Sequence, residues 1–73
     1  MSANEQAISD DIHDELIAAG IDPTQLTWEV DRDHVVVRGE VRDRVTRERV
    51  MDVIEQVAGV RSVCDQVVAR GLR

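Results

Sequence analysis

The chain has no lysine, tyrosine or phenylalanine, and only one tryptophan, one cysteine and one proline among its 73 residues. With Trp28 as its sole aromatic, it lacks the stacking platforms of a single-strand nucleic-acid binder. A formal net charge of −6 also opposes one-sided contact with a phosphate backbone. Both features argue against nucleic acid as a partner. One cysteine excludes a disulfide framework within the chain. No apolar run approaches the roughly 18 residues of a membrane span. The start, Met1 to Gln6, has neither the basic nor the apolar region of a secretory signal. A cytoplasmic location is expected if this is the full length, with no location assigned if it is cut from an envelope protein. Zinc wants about four ligands, and Cys64, His13 and His34 fall on different predicted elements with no Cys-x-x-Cys. A Cys–His nucleophile pair would have to meet in a cleft. A domain this short is too small to enclose a ligand pocket of about 300 Å³. No cofactor and no enzymatic activity are expected.

What remains is a balanced mixture, 42 % hydrophobic and 33 % charged, which suits a single small globular domain. A chain this short buries only about 60 % of its unfolded surface, so its stability should be marginal and association would help it. Ile8, Ile12, Leu16 and Ala19 form one helical stripe, with Ser2 or Asn4 as cap and Gly20 as terminator. Ile17 lies opposite Ile8 and should be exposed. Ile21 to Gln25 reads as a loop around Pro23. The period then changes to two. Leu26, Trp28 and Val30 alternate with polar residues and predict a strand with a buried face, Trp28 in the core and its N–H in need of an acceptor. After the polar break Asp31–Arg32–Asp33, His34 to Val41 gives a second strand with Val35, Val37 and Val41 inward. Gly39 stands where a side chain would not fit. The two strands form a hairpin.

Asp43 is the expected cap of a second helix, whose stripe is Val50, Val53, Ile54 and Val57 and which Gly59 should end. Val63, Val67 and Ala69 predict a third strand with one inward face. Its crossover from the second strand is long enough to make the two parallel. The fold class is therefore α+β: a two-layer sandwich in the order α-β-β-α-β, with both helices packed on one face of a three-stranded mixed sheet. Residues 1–7 are read as a flexible N-terminus and helix start, 8–69 as the domain, and 70–73 as a frayed tail.

This ordered series resembles the BON domain, a module of bacterial osmotically inducible and nodulation-related proteins. The resemblance rests on Ile8/Ile12/Leu16, on Leu26-x-Trp28-x-Val30, and on Val35-x-Val37-x-Gly39-x-Val41. Arg47-x-x-Val50 and Val57-x-Gly59-Val60-x-x-Val63-x-Asp65-x-Val67-x-Ala69 complete it. Three positions depart from the family pattern: Arg32-Asp33 replaces the frequent Asn-Gly or Asp-Gly turn, Asp65 the common Asn, and Trp28 a small aliphatic. The resemblance implies a small binding module rather than an enzyme, connected in different members with phospholipid surfaces, envelope integrity, secretion assemblies, stress response or potassium binding. It carries over no ligand-contacting residue.

Charge divides unevenly along the chain. Residues 1 to 33 hold nine acids and one base; the rest hold six acids and eight bases. Asp10, Asp11, Asp14 and Glu15 on the first helix are candidates for a hard cation, although a helix holds carboxylates apart. Arg38, Arg42, Arg44, Arg47 and Arg49 crowd the start of the second helix in sequence. Arg38, Arg42, Arg44 and Arg49 are the candidates for contact with a lipid headgroup or an acidic partner, although internal neutralisation is the expected reading. Ile17, Val36 and Val68 are candidates for an apolar contact surface. Trp28, Gly39 and Gly59 are expected to be structural. The leading expectation is a non-enzymatic module binding a protein partner, a copy of itself or an envelope component. Cation sensing and phospholipid binding are the alternatives.

Overall fold

The computed structural model describes residues 2–71. Helix α1 spans Ala3–Ala18 and is written locally at both ends. The Ser2 hydroxyl accepts from the Glu5 N–H at 3.2 Å, while the Glu5 carboxylate accepts from the Ser2 N–H at 2.8 Å. This reciprocal pair satisfies two of the helix's orphan donors. The helix thus begins within residues 1–7, with Ser2, one of the two expected caps, at its start. At the far end Ala19 is the last cap residue and Gly20 adopts φ +78°. The Gly20 N–H reaches the Ile17 carbonyl and the Ile21 N–H the Leu16 carbonyl, both at 2.9 Å. These are the two bonds of a Schellman motif, and they turn Ile21 inward onto Leu16. Ile21, read from sequence as loop, is therefore buried core.

A short 3₁₀ turn, Pro23–Gln25, leads into β1, Leu26–Asp31. Strand β2, His34–Val41, returns antiparallel, with Trp28 opposite Val37. Arg32, the first of the two turn residues, takes φ +59°, a region that favours Gly or Asn. The Glu5 carboxylate compensates by accepting the Arg32 N–H at 2.7 Å, so the α1 cap also holds the hairpin turn. Gly39 is required by contact. A Cβ there would lie 2.4 Å from the Gln25 carbonyl oxygen, and its φ is +139°.

Helix α2, Arg44–Glu55, follows with Asp43 as its cap; the Asp43 carboxylate accepts the Thr46 N–H at 2.8 Å. It ends at the Gln56 cap, before Gly59. Val57 continues the apolar stripe but does so from a turn, with its N–H on the Ile54 carbonyl. Apolar spacing alone cannot distinguish one more helical turn from a turn that seals the same face. Gly59, at φ +93°, packs close to the Ile8 side chain instead of ending the helix. Strand β3, Ser62–Ala69, runs parallel to β2 and completes the order β1-β2-β3. Arg70 and Gly71, read as the start of a frayed tail, donate to the carbonyls of Val41 and Arg42. Leu72 and Arg73 lie outside the described residues.

The protein is thus an α+β two-layer sandwich, with α1 over β1 and α2 over β3 on the same face of a mixed sheet. Ile12, Leu16, Val35, Val37, Val50 and Ile54 form the fully enclosed centre of the core. The other sheet face carries no helix.

Candidate functional site

Strand alternation and register together determine what stands on the bare face. Three rows cross it: Asp31, His34 and Ser62; Glu29, Val36 and Cys64; Thr27, Arg38 and Gln66. A fourth, shorter row pairs Glu40 with Val68. These side chains connect to one another. Arg38 donates from Nε to the Gln66 side-chain oxygen at 2.9 Å and lies 3.5 Å from the Glu29 carboxylate. The Gln66 amide points to the Cys64 sulfur at 3.7 Å. His34 contacts the Ser62 hydroxyl through Nδ1 and the Asp33 carboxylate through Nε2, the latter at 3.5 Å. Val68 is 56 % exposed. Val36, expected to be its exposed companion, is half-buried because it sits on the central strand between Glu29 and Cys64. Cys64 is exposed.

The Asp33–His34–Ser62 sequence superficially resembles a proton relay. However, the His34 side chain is 61 % exposed at the margin of a flat sheet. Neither His34 nor Ser62 lines the four main surface hollows among the described residues. A nucleophile needs a held substrate and a positioned base, so this row suits hydrogen bonding to a docked surface.

The predicted arginine cluster is dispersed by the fold. Arg38 stands on the bare sheet face. Arg47 reaches from α2 to Asp65 on β3 at 2.9 Å. Arg49 crosses to α1 and donates to the Ala19 carbonyl at 2.6 Å, on the negative end of that helix dipole. Only Arg42 and Arg44 remain exposed at the start of α2, with Arg42 4.0 Å from Asp43. Arg70 pairs with Glu40 at 3.2 Å and Arg61 lies 3.9 Å from Asp33.

Asp65 is the departure from the family pattern with the clearest structural effect. It lies on the helix-covered side of β3, and its carboxylate is shared between Arg47 and the Val67 N–H, the latter at 2.9 Å. Ser62 donates to the Asp33 carbonyl just before β2 and Arg70 to the Val41 carbonyl at its end, so the even-numbered amides of β3 face β2 and the odd-numbered ones face outward. Val67 is therefore an edge amide capped by its own strand.

Trp28 is half-buried and packs against the core, with its Nε1–H donating to the Ser9 hydroxyl of α1 at 3.0 Å. The α1 carboxylates do not converge. Asp10 accepts from Gln6 at 2.9 Å and Asp14 lies beside His13 at 3.5 Å, while Asp11 and Glu15 are exposed. Among the described residues, no group of three or more His, Cys, Asp or Glu side chains is placed to hold a metal ion. Ile17 is 53 % exposed on the outer side of α1. Val45, not singled out by the sequence pattern, is 66 % exposed at the start of α2. No helix among the described residues is long and apolar enough to cross a membrane.

Three carboxylates sit well placed for backbone donors, and each is held below the usual carboxylate range. Glu5 is lowered chiefly by the Arg32 N–H. Asp22 is lowered by the Thr24 hydroxyl and then its N–H. Asp43 is lowered by the Thr46 N–H. All three support turns and caps.

No curated protein matches the chain. Among solved structures it resembles the C-terminal domain of CdsD, the structural protein of the type III secretion system of Chlamydia trachomatis. The TM-score is 0.73 at 19 % sequence identity, over 92 % of this chain and 34 % of that one. This chain therefore spans about a third of CdsD's length in that structure, and the likeness is one of fold. The BON domain model matches residues 4–71, from the first turn of α1 to the end of the described chain. The chain belongs to the BON domain family.

Proposed function

We propose that this chain is a non-enzymatic interaction module that docks a protein partner on the helix-free face of its sheet. The observation carrying this is the bare face itself. Two helices cover one side, while the other presents the linked side chains Glu29, Arg38, Gln66 and Cys64 with Val68 exposed beside them. Side chains already tied to one another lose less freedom on binding. Membership in a family of small modules supports the reading, as does a fold shared with a domain of a secretion-system structural protein.

The native Cys64 offers the test. A photo-crosslinker attached there, exposed to native cell extract, should give a discrete protein adduct. Arg38→Glu should remove that adduct, whereas the same label on Asp52→Cys, in a Cys64→Ser background, should give none. Absence of an adduct from Cys64, or one indifferent to Arg38→Glu, would end the proposal.

A further inference from the structure

The outward stripe of α1 and the end of the molecule where β2 and β3 stop and α2 starts are unlike surfaces with complementary charge. On α1, Asp10, Asp14 and Ile17 project from one side at helical spacing. None of the α1 carboxylates forms an ion pair with an arginine side chain among the described residues. The Asp14 side chain is 77 % exposed. At the other patch Arg42 is 87 % exposed, and Arg44, the first residue of α2, is exposed. Of the acids near them, Asp43 lies 4.0 Å from Arg42 while also accepting the Thr46 N–H, Asp22 is engaged on Thr24 and Glu40 on Arg70. Beside Arg42 a hollow of about 340 Å³ opens, lined by Ile21, Val41, Asp22, Gln25, Thr46 and Arg49 among others.

We infer that a second copy of this chain is the occupant of that end: the Asp10–Asp14 ridge of one molecule meets Arg42 and Arg44 of the next, with Ile17 entering the hollow. Within one molecule the two patches form no ion pair among the described residues. Arg49 fixes the last turn of α1 through the Ala19 carbonyl. Between molecules, unlike patches meet head to tail, so assembly continues beyond a pair until it closes or runs on. Exposed ion pairs contribute little individually and are screened by salt, so the contact is weak and salt-sensitive. It uses a surface separate from the bare sheet face and stands independently of the docking proposed there.

The test is a charge swap followed by sedimentation equilibrium. Wild-type protein at about 50 mM salt should gain mass with concentration below about 1 mM, and association should weaken by roughly tenfold or more in about 0.5 M salt. Asp10→Arg with Asp14→Arg should be monomeric, and so should Arg42→Glu with Arg44→Glu. Mixing the two variants should restore association, because reversed ridges then face reversed arginine ends. That restoration also shows that both variants are folded. Ile17→Ser should weaken association without abolishing its salt dependence. A wild type monomeric at about 1 mM in low salt overturns the inference. So does self-association that survives both swaps, or a mixture that fails to recover. A monomeric wild type that co-sediments with phosphatidylglycerol vesicles through Arg42 and Arg44 assigns the arginine end to a membrane and overturns it equally.

Discussion

The two helices cover the same sheet by different means. Helix α1 has a reciprocal cap at its start, a Schellman motif at its end, and three β-branched residues in sixteen. Helix α2 has a single side-chain cap, no glycine terminator, and five β-branched residues in twelve. Its hold comes from elsewhere: Arg47 on β3, Arg49 on α1, and Val50 and Ile54 fully enclosed. β-branched residues lose side-chain freedom in a helix, so α2 needs tertiary contacts that α1 needs less. One helix is specified mainly by its own sequence and the other mainly by its neighbours.

The largest effects should come from the shared core. Ile12→Ala and Ile54→Ala each remove an enclosed side chain and should cost about 2–5 kcal/mol, measured by urea unfolding. The comparison predicts different residues of structure in the two denatured ensembles. A peptide covering α1 and its caps should show more circular-dichroism helicity than one covering α2. Equal helicity would erase the distinction.

A smaller loss is expected for Asp65→Ala, about 1 kcal/mol, because it removes the Arg47 partner and leaves the Val67 amide uncapped. It should raise hydrogen exchange in α2 before α1. Gly20→Ala forces a side chain into the left-handed region and should cost about 1 kcal/mol. Gln56→Ala at the end of α2 should be neutral by comparison, since no glycine conformation is required there.

The smallest effect concerns pH. Glu5 and Asp43 have lower pKa values folded than unfolded, from the Arg32 and Thr46 N–H bonds respectively. The folded state therefore holds fewer protons on them as pH drops. Their contribution is full above the unfolded value and is lost as pH falls through the folded one, in a window opening near pH 4 and extending lower. Glu5→Gln should flatten the acid limb of the thermal melt and loosen exchange at the Arg32 amide. Asp43→Asn should flatten it while leaving Arg32 unaffected.

Most of the architecture is legible along the chain because each element's start, period and stop are local properties. Ser2, Gly20, Asp43 and the alternation of Leu26, Trp28 and Val30 suffice for the order and layering. What escapes is decided by register. Nothing in the sequence says that Arg38 stands between Glu29 and Gln66, or that His34 lies beside Ser62 at a sequence separation of 28. The five arginines crowd one stretch of sequence, yet helical rotation and strand alternation send Arg38, Arg47 and Arg49 to three different neighbours. Ile21 was hidden for another reason: its burial follows from a helix-ending motif whose last member lies outside the helix. Asp65 did carry a signal, as an acid in phase with Val63 and Val67, but its partner on α2 is visible only in three dimensions.

That acid makes the two margins of the sheet unequal. A foreign strand approaching β3 would have to displace a carboxylate from the Val67 amide and enclose the Asp65–Arg47 charges. Inward-pointing charge on an outer strand is a known deterrent to edge-to-edge growth. A small protein that opens often needs such protection while it is still folded, when β3 would otherwise be a template eight residues long. The carboxylate therefore makes the β3 margin of the sheet resist extension.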